Sequence, residues 1–207
     1  MNFESLIFDI DGTLWDSRAL VAEGYNLQLH DEGMDHLFTC EAQLTPLFGK
    51  TFTELGDVLF ASLPVPQRYE LLERCMAREN RYLQENPCRI GYPGVKEVLE
   101  TLAKKHRLFI VSNSQCGYPE LCISKLGLDD LIEGHLCFGD TGTVKGETIR
   151  TLMTRHGIGS ACYIGDTQGD RDAARLAGIP FVFCRYGFGQ VDGFWQAIDA
   201  FQDLLNL

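Results

Sequence analysis

Asp9 and Asp11 stand two residues apart at the end of an apolar run, Leu6-Ile7-Phe8-Asp9-Ile10-Asp11-Gly12-Thr13. Two carboxylates so placed repel each other, and burial raises the cost of ionising either one. A divalent cation offsets both effects, and a phosphate beside it shares the field. Three further segments carry matching chemistry: Ser112-Asn113-Ser114, Lys145, and Gly165-Asp166-Thr167-Gln168-Gly169-Asp170. Together they offer carboxylates, a hydroxyl, an amide and an ammonium.

Each residue type has a task in phosphoryl transfer. Magnesium takes oxygen ligands and keeps several waters, so Asp9, Asp166 and the main-chain carbonyl of Asp11 suffice to hold it. A carboxylate can attack phosphorus once a metal has reduced the repulsion between anions. Lys145 and the Ser112 hydroxyl suit the remaining phosphoryl oxygens, with the Asn113 amide beside them and N–H groups near Gly12 and Thr13. The leaving oxygen needs a proton and the later water needs a base, and Asp11 is placed for both jobs.

For these residues to meet, their strands must end at one edge. Five short apolar runs predict strands at Ser5–Ile10, Arg107–Ser112, His135–Phe138, Ala161–Gly165 and Pro180–Arg185. Near-continuous apolar strands alternating with helical patterns predict a Rossmann-like α/β core, a doubly wound parallel sheet with helices on both faces. Val95, Val98, Leu99 and Leu102 share one helical stripe, and Ile149, Leu152, Met153 and His156 share another. Ala173, Ala174 and Ala177 form a small-residue face before Gly178, and a further helix is predicted over Tyr118–Leu126. Ligands of such a sheet bind beyond the carboxyl ends of its strands, where the polar residues above all fall.

About ninety residues separate the first two strands, far more than an ordinary crossover requires. That interval reads as helix, and Leu71, Leu72, Cys75, Met76, Glu79, Tyr82 and Leu83 follow the 3.6-residue period. The expected organisation is a core of residues 1–15 and 89–207, with residues 16–88 inserted as a helical cap over the mouth of the sheet.

The 207 residues carry a formal charge of −11, which argues against nucleic acid or an acidic membrane as partner. None of the eight cysteines forms a Cys-x-x-Cys pair, and several sit in apolar runs, which predicts reduced thiols packed as small hydrophobes. The sequence has no basic n-region, signal-like apolar core or 18-residue apolar span, so the expected location is cytoplasmic. A monomer or a homodimer is expected.

In this order, the motifs resemble the haloacid dehalogenase-like hydrolase superfamily, phosphoglycolate phosphatase-like branch. The likeness rests on Asp9-Ile10-Asp11-Gly12-Thr13, Ser112-Asn113, Lys145, Gly165-Asp166-Thr167-x-x-Asp170 and the re-entry phrase Gly91-Tyr92-Pro93-Gly94-Val95. It implies Asp9 as nucleophile and magnesium ligand, Asp11 as general acid/base, and Ser112 and Lys145 as phosphate binders. It makes Asp166 a magnesium ligand, with Asp170 supporting the metal or orienting Lys145. Gly146 follows the lysine where the family often has proline, which predicts a looser helix start. The resemblance also points to Phe48-Gly49-Lys50-Thr51 as a cap loop, with Lys50 and Arg18 as candidate substrate contacts.

The implied activity is a magnesium-dependent phosphatase for a small phosphomonoester, phosphoglycolate-like or a sugar phosphate. A sugar-phosphate mutase shares the core set but needs an arginine where Phe52 stands. Dehalogenases and phosphonatases lack the aspartate seen here as Asp11. A non-catalytic phosphoaspartate switch would gather similar groups, without a long helical insert.

Overall fold

The computed structural model describes residues 3–207. Six strands form one parallel sheet: β1 (Ser5–Phe8), β2 (Arg107–Ser112), β3 (Ile132–Cys137), β4 (Ala161–Gly165), β5 (Phe181–Cys184) and β6 (Gln196–Ile198), in spatial order β3-β2-β1-β4-β5-β6. The helices are α1 (Arg18–Asp31), α2 (Glu41–Leu44), α3 (Phe52–Leu59), α4 (Val65–Glu85), α5 (Val95–Leu102), α6 (Tyr118–Leu126), α7 (Phe138–Thr141), α8 (Lys145–His156) and α9 (Gln168–Ala177). Short 3₁₀ turns occupy Asp35–Leu37, Thr45–Leu47 and Phe201–Asn206.

Chain contacts divide the protein into two compact units, Met1–Asp16 with Ile90–Leu207, and Ser17–Arg89. In the first, strand side chains alternate between faces. Ile7, Phe109, Val111, Tyr163 and Phe183 pack with Ile149 and Leu152 of α8 and Ala173 and Ala174 of α9. On the other face Phe8 meets Phe201, ring centroids 6.0 Å apart, and α5 packs on the Phe201–Asn206 turn. The second unit buries Val21, Tyr25, Leu29, Phe60, Leu71, Leu72 and Cys75 around the α1–α4 pair. Arg74 grips Glu32 there with two hydrogen bonds of 2.6 and 2.8 Å.

Several boundaries differ from expectation for local reasons. β3 begins at Ile132 instead of His135, because a register shift between Leu108 and Phe109 lets Leu108 pair with Ile132. It stops at Cys137, since the Asp140 carboxylate accepts from the Cys137 N–H at 2.8 Å and turns Phe138 into α7. Residues 40–63 hold separate helical segments on either side of the 48–51 loop: Pro46 lies in a 3₁₀ turn before it, and Thr51 opens α3 with a capping box to Glu54. β6 is a sixth strand beyond the five that the apolar runs predict. α8 begins at Lys145 with Gly146 as its second residue, and a Cβ there would lie 2.7 Å from Leu176 and 2.9 Å from the Ala173 carbonyl. The absent side chain lets α8 and α9 approach closely. No helix among the described residues is long and apolar enough to cross a membrane.

Candidate active site

Strand register brings the acidic motifs together. Phe8 is level with Ile110 on one side and Ile164 on the other, so Asp9, Ser112 and Asp166 emerge at the same edge. The Asp9 N–H donates to the Ile164 carbonyl at 2.9 Å. The chain leaves β1 for β2 on one side and crosses from β3 to β4 on the other. This reversal opens a crevice between β1 and β4.

Lys145, the first residue of α8, is buried and bridges two carboxylates. Its Nζ lies 3.0 Å from Asp9 Oδ1 and 2.6 Å from Asp170 Oδ1. Asp170 is engaged through both oxygens. Its Oδ2 accepts from Thr167 Oγ1 at 2.7 Å, from Thr167 N at 2.9 Å and from Asp166 N at 3.2 Å. These bonds also cap α9, so one side chain fixes both the helix start and the lysine. Asp172, two residues further, is exposed and pairs with Arg171 at 2.8 Å.

Burial dominates the electrostatics. It pushes the Asp9 carboxyl up to about 7, helped by the Asp170 charge and partly offset by Lys145. Burial likewise holds Asp166 well above the usual carboxylate range, with Asp170 and Asp9 adding to it and the Phe188 N–H working against it. For Lys145 burial favours the neutral amine, but Asp170 and Asp9 outweigh it and the ammonium is retained.

Ligand atoms of Asp9, Asp166 and Asp170 lie within 4.8 Å of one another, and all three residues are buried. Fully ionised, they and Lys145 would leave two uncompensated negative charges, the deficit a divalent cation removes. Asp166 Oδ1 is buried without a hydrogen-bond partner among the described residues. An all-oxygen cluster with an orphaned carboxylate oxygen fits magnesium. Gly12 makes room for it: at φ +74°, a Cβ there would sit 2.0 Å from Asp166 Oδ2.

The Asp11 side chain is not one of the three. Its Oδ1 accepts from Trp15 Nε1 and from Tyr118 Oη, each at 2.8 Å. Trp15 and Tyr118 are buried and meet edge to face at 5.5 Å. Ser112 is buried at the end of β2, and its Oγ accepts from Ser114 N at 3.3 Å. Asn113, half-buried, follows it in the same loop. Arg18 and Lys50 belong to the helical unit. There Arg18 donates to Thr45 Oγ1 and pairs with Glu41 at 3.4 Å, while the Lys50 charge helps hold Glu54 below its ordinary value, behind that residue's bonds to Thr51.

Three contributors escape a reading of residue types. The sequence motifs assign no role to Trp15 or Tyr118, although both hold Asp11. The third is a main-chain group: Phe188 N donates to Asp166 Oδ2 at 2.7 Å, from a loop also tied down by Tyr186 Oη on the Thr13 carbonyl at 2.9 Å. The only sequence signal for that loop is its place after β5, at the same edge of the sheet.

The family model described as haloacid dehalogenase-like hydrolase matches residues 6–184. A phosphoglycolate phosphatase from Xanthomonas campestris pv. campestris (strain 8004) is 30% identical over 202 residues, covering 93% of this chain and 89% of its own. Among solved structures, that of a predicted phosphoglycolate phosphatase from Haemophilus somnus 129pt superposes with a TM-score of 0.84 at 24% identity, covering 100% of this chain and 98% of that one. A HAD-superfamily hydrolase of subfamily IA from Geobacter sulfurreducens PCA gives 0.72 at 21% identity, covering 99% and 95%. At these identities the two structures establish the fold.

Proposed function

The chain belongs to the haloacid dehalogenase-like hydrolase family, as a phosphatase of its phosphoglycolate phosphatase-like branch, and from that premise we propose that it uses magnesium to hydrolyse a small phosphomonoester through an aspartyl phosphate on Asp9. The substrate class is phosphoglycolate-like or a sugar phosphate.

Asp9, Asp166 and the main-chain carbonyl of Asp11 would hold the ion. Asp170, with both oxygens engaged by protein donors, acts by orienting Lys145. When bound, magnesium neutralises the carboxylates and the phosphoryl oxygens, so that an anionic phosphorus centre can be approached by another anion. Lys145 and Ser112 hold the phosphoryl group in line with Asp9, with Asn113 beside them. Asp9 attacks phosphorus, the bond to the leaving oxygen breaks, and Asp11 gives that oxygen its proton. Asp11 then takes a proton from water, the water oxygen attacks phosphorus, and Asp9 is regenerated as phosphate leaves.

The observation that carries this reading is the buried Lys145 bridge between Asp9 and Asp170, beside an Asp166 oxygen that lacks a donor among the described residues. An ammonium and three carboxylates enclosed together are poised for a charged ligand. The mutase alternative draws no support, since Phe52 lies against Tyr69, ring centroids 5.8 Å apart, where a second phosphate would need an arginine.

The test is release of inorganic phosphate from a panel containing phosphoglycolate, sugar phosphates and nucleoside monophosphates, with magnesium present. Turnover of at least one small monoester is expected, with loss of that turnover in Asp9→Asn. Undiminished turnover by the Asp9→Asn protein would remove Asp9 as the nucleophile.

A further inference from the structure

A second cluster of metal-ligating side chains lies at the carboxyl end of β3. Cys137 ends the strand, Asp140 sits in α7, and Cys116 lies in the loop between Ser112 and α6. The Cys137 thiol donates to Asp140 Oδ2 at 3.1 Å, and the Cys116 thiol approaches Asp140 Oδ1 at 3.7 Å. One ligand atom from each residue falls within 4.8 Å of the other two. The two segments are stitched by Gly139 N on the Ser114 carbonyl at 3.1 Å, and Ser112 pairs with Cys137 in the sheet.

We propose that Cys116, Cys137 and Asp140 form a binding site for a thiophilic divalent cation of the zinc class, separate in donor chemistry from the all-oxygen site around Asp9. Tetrahedral zinc, with bonds of about 2.3 Å to sulfur and about 2.0 Å to oxygen, needs sulfur–oxygen edges of about 3.5 Å. The two thiol–carboxylate separations, one to each Asp140 oxygen, lie on either side of that value. Thiolates select soft and borderline cations over magnesium. Cys116 and Asp140 are exposed while Cys137 is buried, so three ligands are presented with a route in from solvent and a fourth position for water.

The proton balance is simple. Each thiol loses its proton as its sulfur–metal bond forms, and two protons pass to solvent. Because each thiol must give up its proton, affinity rises with pH. Occupancy would also brace the Ser112–Tyr118 loop, which carries a phosphate-binding hydroxyl at one end and a donor to Asp11 at the other.

The experiment is titration of the reduced full-length protein with Co²⁺ in excess magnesium, which keeps the oxygen site filled. A near-ultraviolet thiolate-to-cobalt charge-transfer band should appear, saturating at one equivalent and displaced by zinc. Cys116→Ser and Cys137→Ser should each abolish it, whereas Cys40→Ser/Cys88→Ser should keep it. Cys116 is exposed, so Cys116→Ser should fold, should leave magnesium-supported phosphate release unchanged, and can decide the case alone. Absence of the band in the parent protein, or its persistence in Cys116→Ser, overturns the proposal.

Discussion

Tyr118 Oη and Asp11 Oδ1 lie 2.8 Å apart across 107 positions of sequence, and Trp15 Nε1 reaches the same oxygen at the same distance. The proposed proton-transfer group is therefore held by two buried aromatic donors instead of rotating in a solvated loop. Removing one leaves the other, so function rather than folding should register the loss.

In Tyr118→Phe, kcat should fall about tenfold, the scale of one hydrogen bond to a charged group. The fall should be larger on an alkyl phosphate than on nitrophenyl phosphate, whose leaving group departs without a proton. Equal losses on the two substrates would show that Tyr118 does not act through Asp11.

Lys145→Met should abolish phosphate release and also destabilise the protein. It leaves Asp9 and Asp170 buried without their cation, at a cost of about 3–5 kcal/mol. Urea unfolding in the absence of metal measures the cost. The loss should shrink as pH falls, because protonating the stranded carboxylates relieves it.

The stability of the metal-free protein should respond to pH through Asp9. Its carboxyl titrates at about 7 in the fold against a model-peptide value of 3.8, because burial and then Asp170 disfavour the anion. Below pH 3.8 both states hold the proton. Between 3.8 and 7 the unfolded chain releases it first, so stability falls as pH rises across that window. Asp166, also raised, acts in the same direction. Magnesium binds the ionised form, so thermal melts should show a larger magnesium-induced rise in Tm at pH 8 than at pH 5.5. An equal rise at both values would contradict this linkage.

Gly12→Ala places a methyl group 2.0 Å from Asp166 Oδ2 and forces a left-handed φ of +74° on an L-residue. The conformation alone costs about 1–2 kcal/mol. Displacement of Asp166 should raise the magnesium concentration needed for half-maximal activity. Calorimetric titration would show that weakening directly.

The local sequence suffices for everything that depends on a run of apolar residues and the polar group ending it. β1, β2, β4 and β5 are legible because buried parallel strands are continuous apolar runs, and their carboxyl ends locate Asp9, Ser112 and Asp166. The helical insert is legible from its 3.6-residue period. β6 is not, since three residues at an edge, with Gln196 exposed, carry no pattern. Which donors complete the site was decided by packing alone. The Phe188 amide has no residue-type signature, and Trp15 and Tyr118 differ from core aromatics only by where their N–H and O–H point. The pairing of Lys145 with both Asp9 and Asp170, 136 and 25 positions away, likewise exists only once the sheet register and the start of α8 are set. Side-chain chemistry is a property of the residue, but the partner that tunes it is a property of distance, and distance belongs to the fold.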